Sequence, residues 1–226
     1  MNGSMNKYLA EFVGTFALVF IAAGAVSTDY VSQGSLGLLG MAVASSLVVM
    51  AMVYATGHIS GAHINPAVTI SMLVARKIDL KDAVSYIVAQ FTGASIAGLM
   101  LLTIFPTAVA GVNLGATGLG SDVDFGVGIL VEAILTFMLV LTIFGSAVDE
   151  RAPQGLAGFA IGVAVLLAIL VGGPLTGASM NPARTFGPAL VSGYWANHLV
   201  YWIGPLIGGV FAALLYEGVF AEKKYQ

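Results

Sequence analysis

Charged side chains are scarce in this chain. Of 226 residues, 8 are Lys or Arg, 11 are Asp or Glu and 3 are His, so 8% of the chain is charged while 58% is hydrophobic. A water-soluble domain carries roughly a quarter charged residues, and so few charges cannot solvate the surface of a chain this long. The apolar surplus is expected to face lipid. Cysteine is absent, which excludes disulfides, a thiolate metal site and thiol redox chemistry. The net charge is only -3, so nothing points to a nucleic-acid partner. No His/Glu pair has the spacing of a zinc-hydrolase helix and no Gly-x-Ser-x-Gly elbow occurs, leaving metal-assisted and nucleophilic catalysis without an evident carrier. We expect neither an enzyme nor a bound cofactor or metal.

Long apolar runs are plentiful instead. A membrane-spanning helix needs about 20 mostly apolar residues. Six stretches qualify: Tyr8–Val26, Leu36–Tyr54, Ala83–Phe105, Phe125–Val148, Gly155–Val171 and His198–Phe220. Two more, Pro66–Ala75 and Pro182–Val191, are only about half that length. The N-terminal run, with its small residues Ala22-Ala23-Gly24-Ala25, has some features of a signal peptide. Glu11 interrupts it, however, and a matching Glu132 stands in the second half, so it reads as the first span. There are 29 glycines, and pairs such as Gly158-x3-Gly162 and Gly204-x3-Gly208 would let helices approach closely.

The basic residues suggest an orientation. Lys7 precedes the first span, Arg76, Lys77 and Lys81 lie between the second and third, Arg151 between the fourth and fifth, and Lys223 and Lys224 after the sixth. With both termini cytoplasmic, all of these lie inside. The expected outer connections, residues 27–35 and 106–124, contain none. Arg184 alone is not explained by topology.

Arg184 belongs to a phrase used twice. Residues 59–69 read Ile-Ser-Gly-Ala-His-Ile-Asn-Pro-Ala-Val-Thr and residues 175–185 read Leu-Thr-Gly-Ala-Ser-Met-Asn-Pro-Ala-Arg-Thr, an offset of 116. The halves match elsewhere too. Glu11 precedes Thr15-Phe16 as Glu132 precedes Thr136-Phe137, and Tyr86-x3-Gln90-x2-Gly93-Ala94 parallels Tyr201-x3-Pro205-x2-Gly208-Gly209. Three spans per half is an odd number, so the halves insert with opposite orientation. The expected fold is an all-α membrane protein, with six transmembrane helices and two re-entrant half-helices in an inverted 3+3 repeat. Repeat one covers about 5–105 and repeat two about 125–220 of a single domain. Irregular backbone at the bilayer midplane is tolerable only where it lines a water-filled cavity.

Asn followed by Pro is a strong helix start, the Asn capping and the Pro filling the first position. Asn65-Pro66-Ala67 and Asn181-Pro182-Ala183 would therefore begin half-helices that meet N-terminus to N-terminus, each end carrying roughly half a positive charge. Each Asn amide would be left with two donors aimed outward. Backbone carbonyls of Gly61, Ala62 and His63, and of Gly177, Ala178 and Ser179, would supply acceptors. Such a place suits a small neutral molecule that both donates and accepts hydrogen bonds, and it repels cations. Arg184 would point into the outer mouth, or else snorkel to the interface. Glu11 and Glu132 are either titrating proton carriers or acceptors for loop N–H groups; their symmetric placement favours the second reading. His63 either lines the path or caps its loop, while His58 and His198 receive no role. An alternating-access secondary transporter also uses inverted repeats and broken helices, but opposed helix N-termini offer a coupling cation no anionic ligand.

On these residues the chain resembles the aquaporin family (major intrinsic proteins). The resemblance rests on Ala10-Glu11-Phe12, Gly57–Thr69, Thr176–Pro188 and Tyr201–Gly209 and covers nearly the whole chain. The stretch Val148–Gly155 is similar to prokaryotic, archaeal-type members. Aquaporin-type pores are known to select by width, lining groups and an Arg or half-helix dipoles. The resemblance implies a pore in each subunit, usually a homotetramer, in the cell membrane, passing water and small neutral solutes but not ions or protons. It also implies an outer filter at Ser45, Ile169, Ala178 and Arg184. Water-selective members typically carry an aromatic where Ser45 stands and a His where Ile169 stands. Glycerol-conducting members usually have aromatics in the filter, and Asp where Thr185 follows the Arg. This chain departs from both, which implies a wider, less polar filter, with Val49 and Val165 as an apolar wall facing the carbonyls.

Overall fold

The computed structural model describes residues 3–222; Lys223 and Lys224, invoked above for orientation, lie outside the described residues. Among the described residues nine α-helices carry the fold: α1 Gly3–Val31, α2 Gly37–Ser60, α3 Pro66–Val74, α4 Leu80–Ile104, α5 Ala108–Val112, α6 Phe125–Ile143, α7 Ala157–Thr176, α8 Pro182–Ser192 and α9 Val200–Leu215. Among the described residues there is no strand, and six helices are long and apolar enough to cross a membrane. The chain is a membrane protein. Its outward faces expose large apolar side chains, including Leu39, Leu130, Phe159, Val171 and Phe211.

Helix ends are set by local chemistry rather than by where the apolar runs stop. α1 continues to Val31 because its C-terminal Asp29 is useful there: its carboxylate accepts from Leu36 N and Gly37 N at 2.9 and 2.8 Å and starts α2. α4 and α6 begin on Asp79 and Asp124, whose side chains accept from Asp82 N and Val127 N. α2 and α7 run six and five residues beyond the expected Tyr54 and Val171, because Ser60 and Thr176 in their last turns are hydrogen-bonded in the interior. Both then stop at a glycine in the left-handed region, Gly61 (φ 87) and Gly177 (φ 79), which turns the chain sharply toward the half-helices. The connection 106–124, expected on the outer side, is not bare loop: it holds α5 and a 3-10 turn, Asn113–Gly115.

Packing follows a two-fold pattern. α1 lies against α2 and α4, and α6 lies against α7 and α9 in the same way. α2 meets α7 across the middle, where Ser46 Oγ donates to Gly162 O at 2.7 Å, residues 116 apart and therefore repeat mates. Each half-helix rests on the opposite half, α3 on α9 and α8 on α4. Between lipid-immersed helices there is little hydrophobic drive, so close backbone approach matters most. A Cβ added at Gly98 of α4 would sit 2.6 Å from Gly187 O of α8, so alanine there would push α8 off its seat.

The chain ends of α6 and α9 widen into single π turns, Phe144–Val148 and Tyr216–Phe220. Beyond them Asp149 accepts from Arg151 and from Tyr216, and Arg151 also reaches Phe220 O. The hydrogen bonds from Arg151 hold the Asp149 carboxyl well below the usual carboxylate range, so this exposed clasp stays charged throughout the ordinary pH range.

Candidate functional site: a cavity between two opposed helix ends

A cavity of about 590 Å3 runs through the bundle, from Lys7, Lys77 and Asp82 at one end to Leu38 and Gly173 at the other. A water in the liquid occupies ~30 Å3, so the cavity has room for a file of waters. Both half-helices start against it.

Asn65 and Asn181 are extended (φ -159 and -150) and each is followed by Pro at the first helical position. Asn65 Oδ1 accepts from Ala67 N at 2.9 Å; Asn181 Oδ1 accepts from Ala183 N and Arg184 N at 3.0 and 3.2 Å. The amides do not aim both donors outward. Asn65 Nδ2 donates to Met180 O at 2.8 Å and Asn181 Nδ2 donates to Ile64 O at 2.9 Å. Each Asn thus ties its own helix to the other repeat's loop, because the two ends are close enough to share carbonyls. One N–H per amide is left, and both Asn side chains line the cavity. Pro66, Ala67, Pro182 and Ala183 do not: they are buried in the first turns, where they shape the cap.

The loops before the caps are strained. Ala62, Ile64, Ala178 and Met180 all have positive φ, between 44 and 53, a conformation that costs about 1–3 kcal/mol per non-glycine residue and is a genuine outlier for the β-branched Ile64. Buried carboxylates hold them there. Glu11 accepts from Ser60 Oγ, His63 N, Ile64 N and Gln90 Nε2 at 2.6–2.9 Å. Glu132 accepts from Thr176 Oγ1, Ser179 N and Met180 N at 2.7–2.9 Å. Both carboxylates are fully buried and neither lines the cavity; they sit behind the loops. Tyr86 and Tyr201 donate to Ser60 O and Thr176 O. With the N–H groups drawn backward, the carbonyls of Gly61, Ala62, His63, Gly177, Ala178 and Ser179 accept no hydrogen bond among the described residues. All six of these residues line the cavity.

His63 both lines the cavity and braces its loop: Nδ1 lies 3.1 Å from Thr69 Oγ1 and the ring stands edge-on to Tyr86. Its mate Ser179 meets Thr185 at 2.6 Å. Gln90 joins Glu11 to Thr69 in one half. The other half has Pro205 at that position, and Thr117 of the connection 106–124 bonds Thr185 at 2.8 Å instead.

Ser45, Ile169, Ala178 and Arg184 line the cavity together, as do Val49 and Val165. Arg184 does not snorkel. It is buried at the start of α8, and its Nη1 donates to Gly115 O at 2.6 Å. Ser45 gives its proton to Met41 O of its own helix, leaving only acceptor lone pairs. The guanidinium is therefore the one side-chain donor among these four. Sequence reasoning missed Gly115 and Thr117, which no repeat or motif marks. It also missed Leu18 and Leu139 on the cavity wall. The second pair was recoverable, because each stands seven residues after the matched Glu11 and Glu132.

Comparisons with known proteins agree with this architecture. The sequence pattern of the major intrinsic protein family matches residues 2–216. The chain is 44% identical over 227 residues to aquaporin TIP4-4 of Zea mays, covering 98% of this chain and 89% of that one. It is also 44% identical over 240 residues to the probable aquaporin AqpM of Archaeoglobus fulgidus, covering 96% and 98%. The crystal structure of the aquaglyceroporin from Plasmodium falciparum superposes with a TM-score of 0.87 at 25% identity, covering 96% of both chains. The match spans both repeats, both caps and the helices between them: the chain belongs to the major intrinsic protein family, the membrane channels that include the aquaporins.

Proposed function

We propose that the protein is a passive pore for water and small neutral solutes, including glycerol and gases, which excludes ions and protons. The observation that carries this reading is the convergence of two helix N-termini, one free amide N–H from each Asn, and six unpaired carbonyls on a single cavity. A passing water donates to carbonyls and accepts from Asn65 and Asn181, recovering about 1 kcal/mol net per hydrogen bond. At the Asn pair a cation meets two positive helix ends and no carboxylate, since Glu11 and Glu132 are turned to the loops and the cavity's Asp79 and Asp82 stand at its mouth with Lys7 and Lys77. The same charge arrangement disfavours an ion-coupled transporter.

Ser45, Ile169, Ala178 and Arg184 act as the outer filter in this reading; Val49, Val165, Gly61, Ala62, His63, Gly177, Ala178 and Ser179 are the pore wall. The chain is one channel domain of two repeats, about 5–105 and 125–220. It sits in the cell membrane with both termini cytoplasmic, on the distribution of Lys7, Arg76, Lys77, Lys81 and Arg151, and assembles as a homotetramer as family members usually do.

With small side chains at Ser45 and Ala178 and no donor at Ile169, the filter is wide and weakly polar. Proteoliposomes carrying the protein should therefore take up glycerol faster than empty ones in stopped-flow light scattering, as well as water. Raised water permeability with glycerol uptake equal to that of empty liposomes would refute the wide filter.

A further inference from the structure

The two-fold relation between the repeats places a second set of residues at the same depth as the outer filter, on the opposite side of the Asn pair. The relation is visible bond by bond: Asn65 Nδ2 to Met180 O is answered by Asn181 Nδ2 to Ile64 O, and Ser46 bonds its own mate Gly162. The same offset of 116 carries Ser45 to Ile161, Ala62 to Ala178, Val68 to Arg184 and Val53 to Ile169. Val53, Ala62, Val68 and Ile161 all line the cavity. Val68 occupies the third position of α3, as Arg184 does in α8. Side chains at that position point at the path just beyond the cap.

We propose that Val53, Ala62, Val68 and Ile161 form a second selectivity ring, wholly apolar, between the Asn pair and the mouth marked by Lys7 and Asp82. The proposal rests on the pore reading above. The two rings share geometry and differ in chemistry. The outer one presents a guanidinium and a hydroxyl oxygen; the inner one has no polar side-chain atom. At the inner level a solute meets only acceptors: the carbonyls of Gly61, Ala62 and His63, and the His63 ring, whose Nδ1 donates to Thr69 Oγ1 because that hydroxyl gives its own proton to Asn65 O, leaving Nε2 to accept. A water can give its protons there, but its own lone pairs go unmatched. The inner ring therefore sets a dehydration barrier, and its width depends on two valines and an isoleucine.

The test adds polarity and bulk separately. Val53→Asn and Val68→Asn each add an amide whose N–H groups can donate to a water's lone pairs, where a helical hydroxyl would give its proton to its own backbone as Ser45 does, and Val68→Leu adds bulk. Each protein is reconstituted at equal density, confirmed by size-exclusion profile and protein per liposome, and water permeability is measured by stopped flow. Either Asn variant should raise permeability per protein about two- to five-fold, the value of one recovered hydrogen bond, and Val68→Leu should lower it. The Val53 site lies on α2, away from both caps, so it still reports if the Val68 variants do not fold. Permeabilities unchanged in every folded variant, with the unmodified protein conducting water, would overturn the inner ring alone. An unmodified protein no more permeable than empty liposomes would overturn the pore reading itself.

Discussion

Replacing Glu132 with glutamine should lower stability and abolish most water conduction, without introducing any pH dependence. The carboxylate accepts from Ser179 N and Met180 N on its two oxygens and from Thr176 Oγ1. A glutamine keeps one acceptor oxygen and turns two amide hydrogens toward backbone N–H groups that also donate. At least one buried donor is then unpaired, at about 1–3 kcal/mol. The left-handed residues Ala178 and Met180, held at about 1–3 kcal/mol of strain each, lose their anchor. The loop relaxes, and with it the carbonyls of 177–179. The unfolding midpoint in detergent and permeability per reconstituted protein should both fall. Glu132→Ala should be worse, since it strands all three donors. A variant with unchanged stability but altered proton flux would identify Glu132 as a proton carrier and contradict this reading.

Arg184→Ala should have the largest effect on selectivity. The guanidinium lines the cavity beside Ala178 and Ser45 and is held by Gly115 O at 2.6 Å. At an effective dielectric near 20, a fixed charge repels a cation about 5 Å away by roughly 3 kcal/mol. At 1.36 kcal/mol per tenfold, removing it should raise cation entry by about two orders of magnitude. Neutral solutes larger than water should also pass faster through the vacated space. Arg184→Lys should retain most cation exclusion, because it keeps the charge, and lose part of the size selection, because it lacks the planar fork. Liposome assays of potassium leak and glycerol uptake separate these outcomes. If Arg184→Ala behaves like the unmodified protein in both, Arg184 is not a filter residue.

Much of this architecture was legible in the sequence, for a physical reason. A lipid-facing helix must be apolar along about 20 residues, so spans announce themselves, and an Asn-Pro start is a local signal that no tertiary contact is needed to read. Helix ends were less legible, since α2 and α7 end where Ser60 and Thr176 find Glu11 and Glu132, partners 49 and 44 residues away. The exchange of amide bonds between Asn65 and Met180, and between Asn181 and Ile64, spans 115 and 117 residues, and nothing in either phrase reveals it. Gly115 and Thr117 were invisible for a related reason. They belong to a connection with no repeat mate, yet they complete the second half where Pro205 cannot do what Gln90 does in the first.

Opposed helix ends and inward-turned carboxylates should pass water and stop protons, and both fluxes can be followed in one preparation. Liposomes containing the protein and an internal pH dye are exposed first to an osmotic step and then to a pH step. Water permeability well above that of empty liposomes, with a proton flux indistinguishable from theirs, is the expected result. A proton flux that rises in step with water permeability would contradict the assignment of Asn65, Asn181 and Arg184 to a neutral-solute pore.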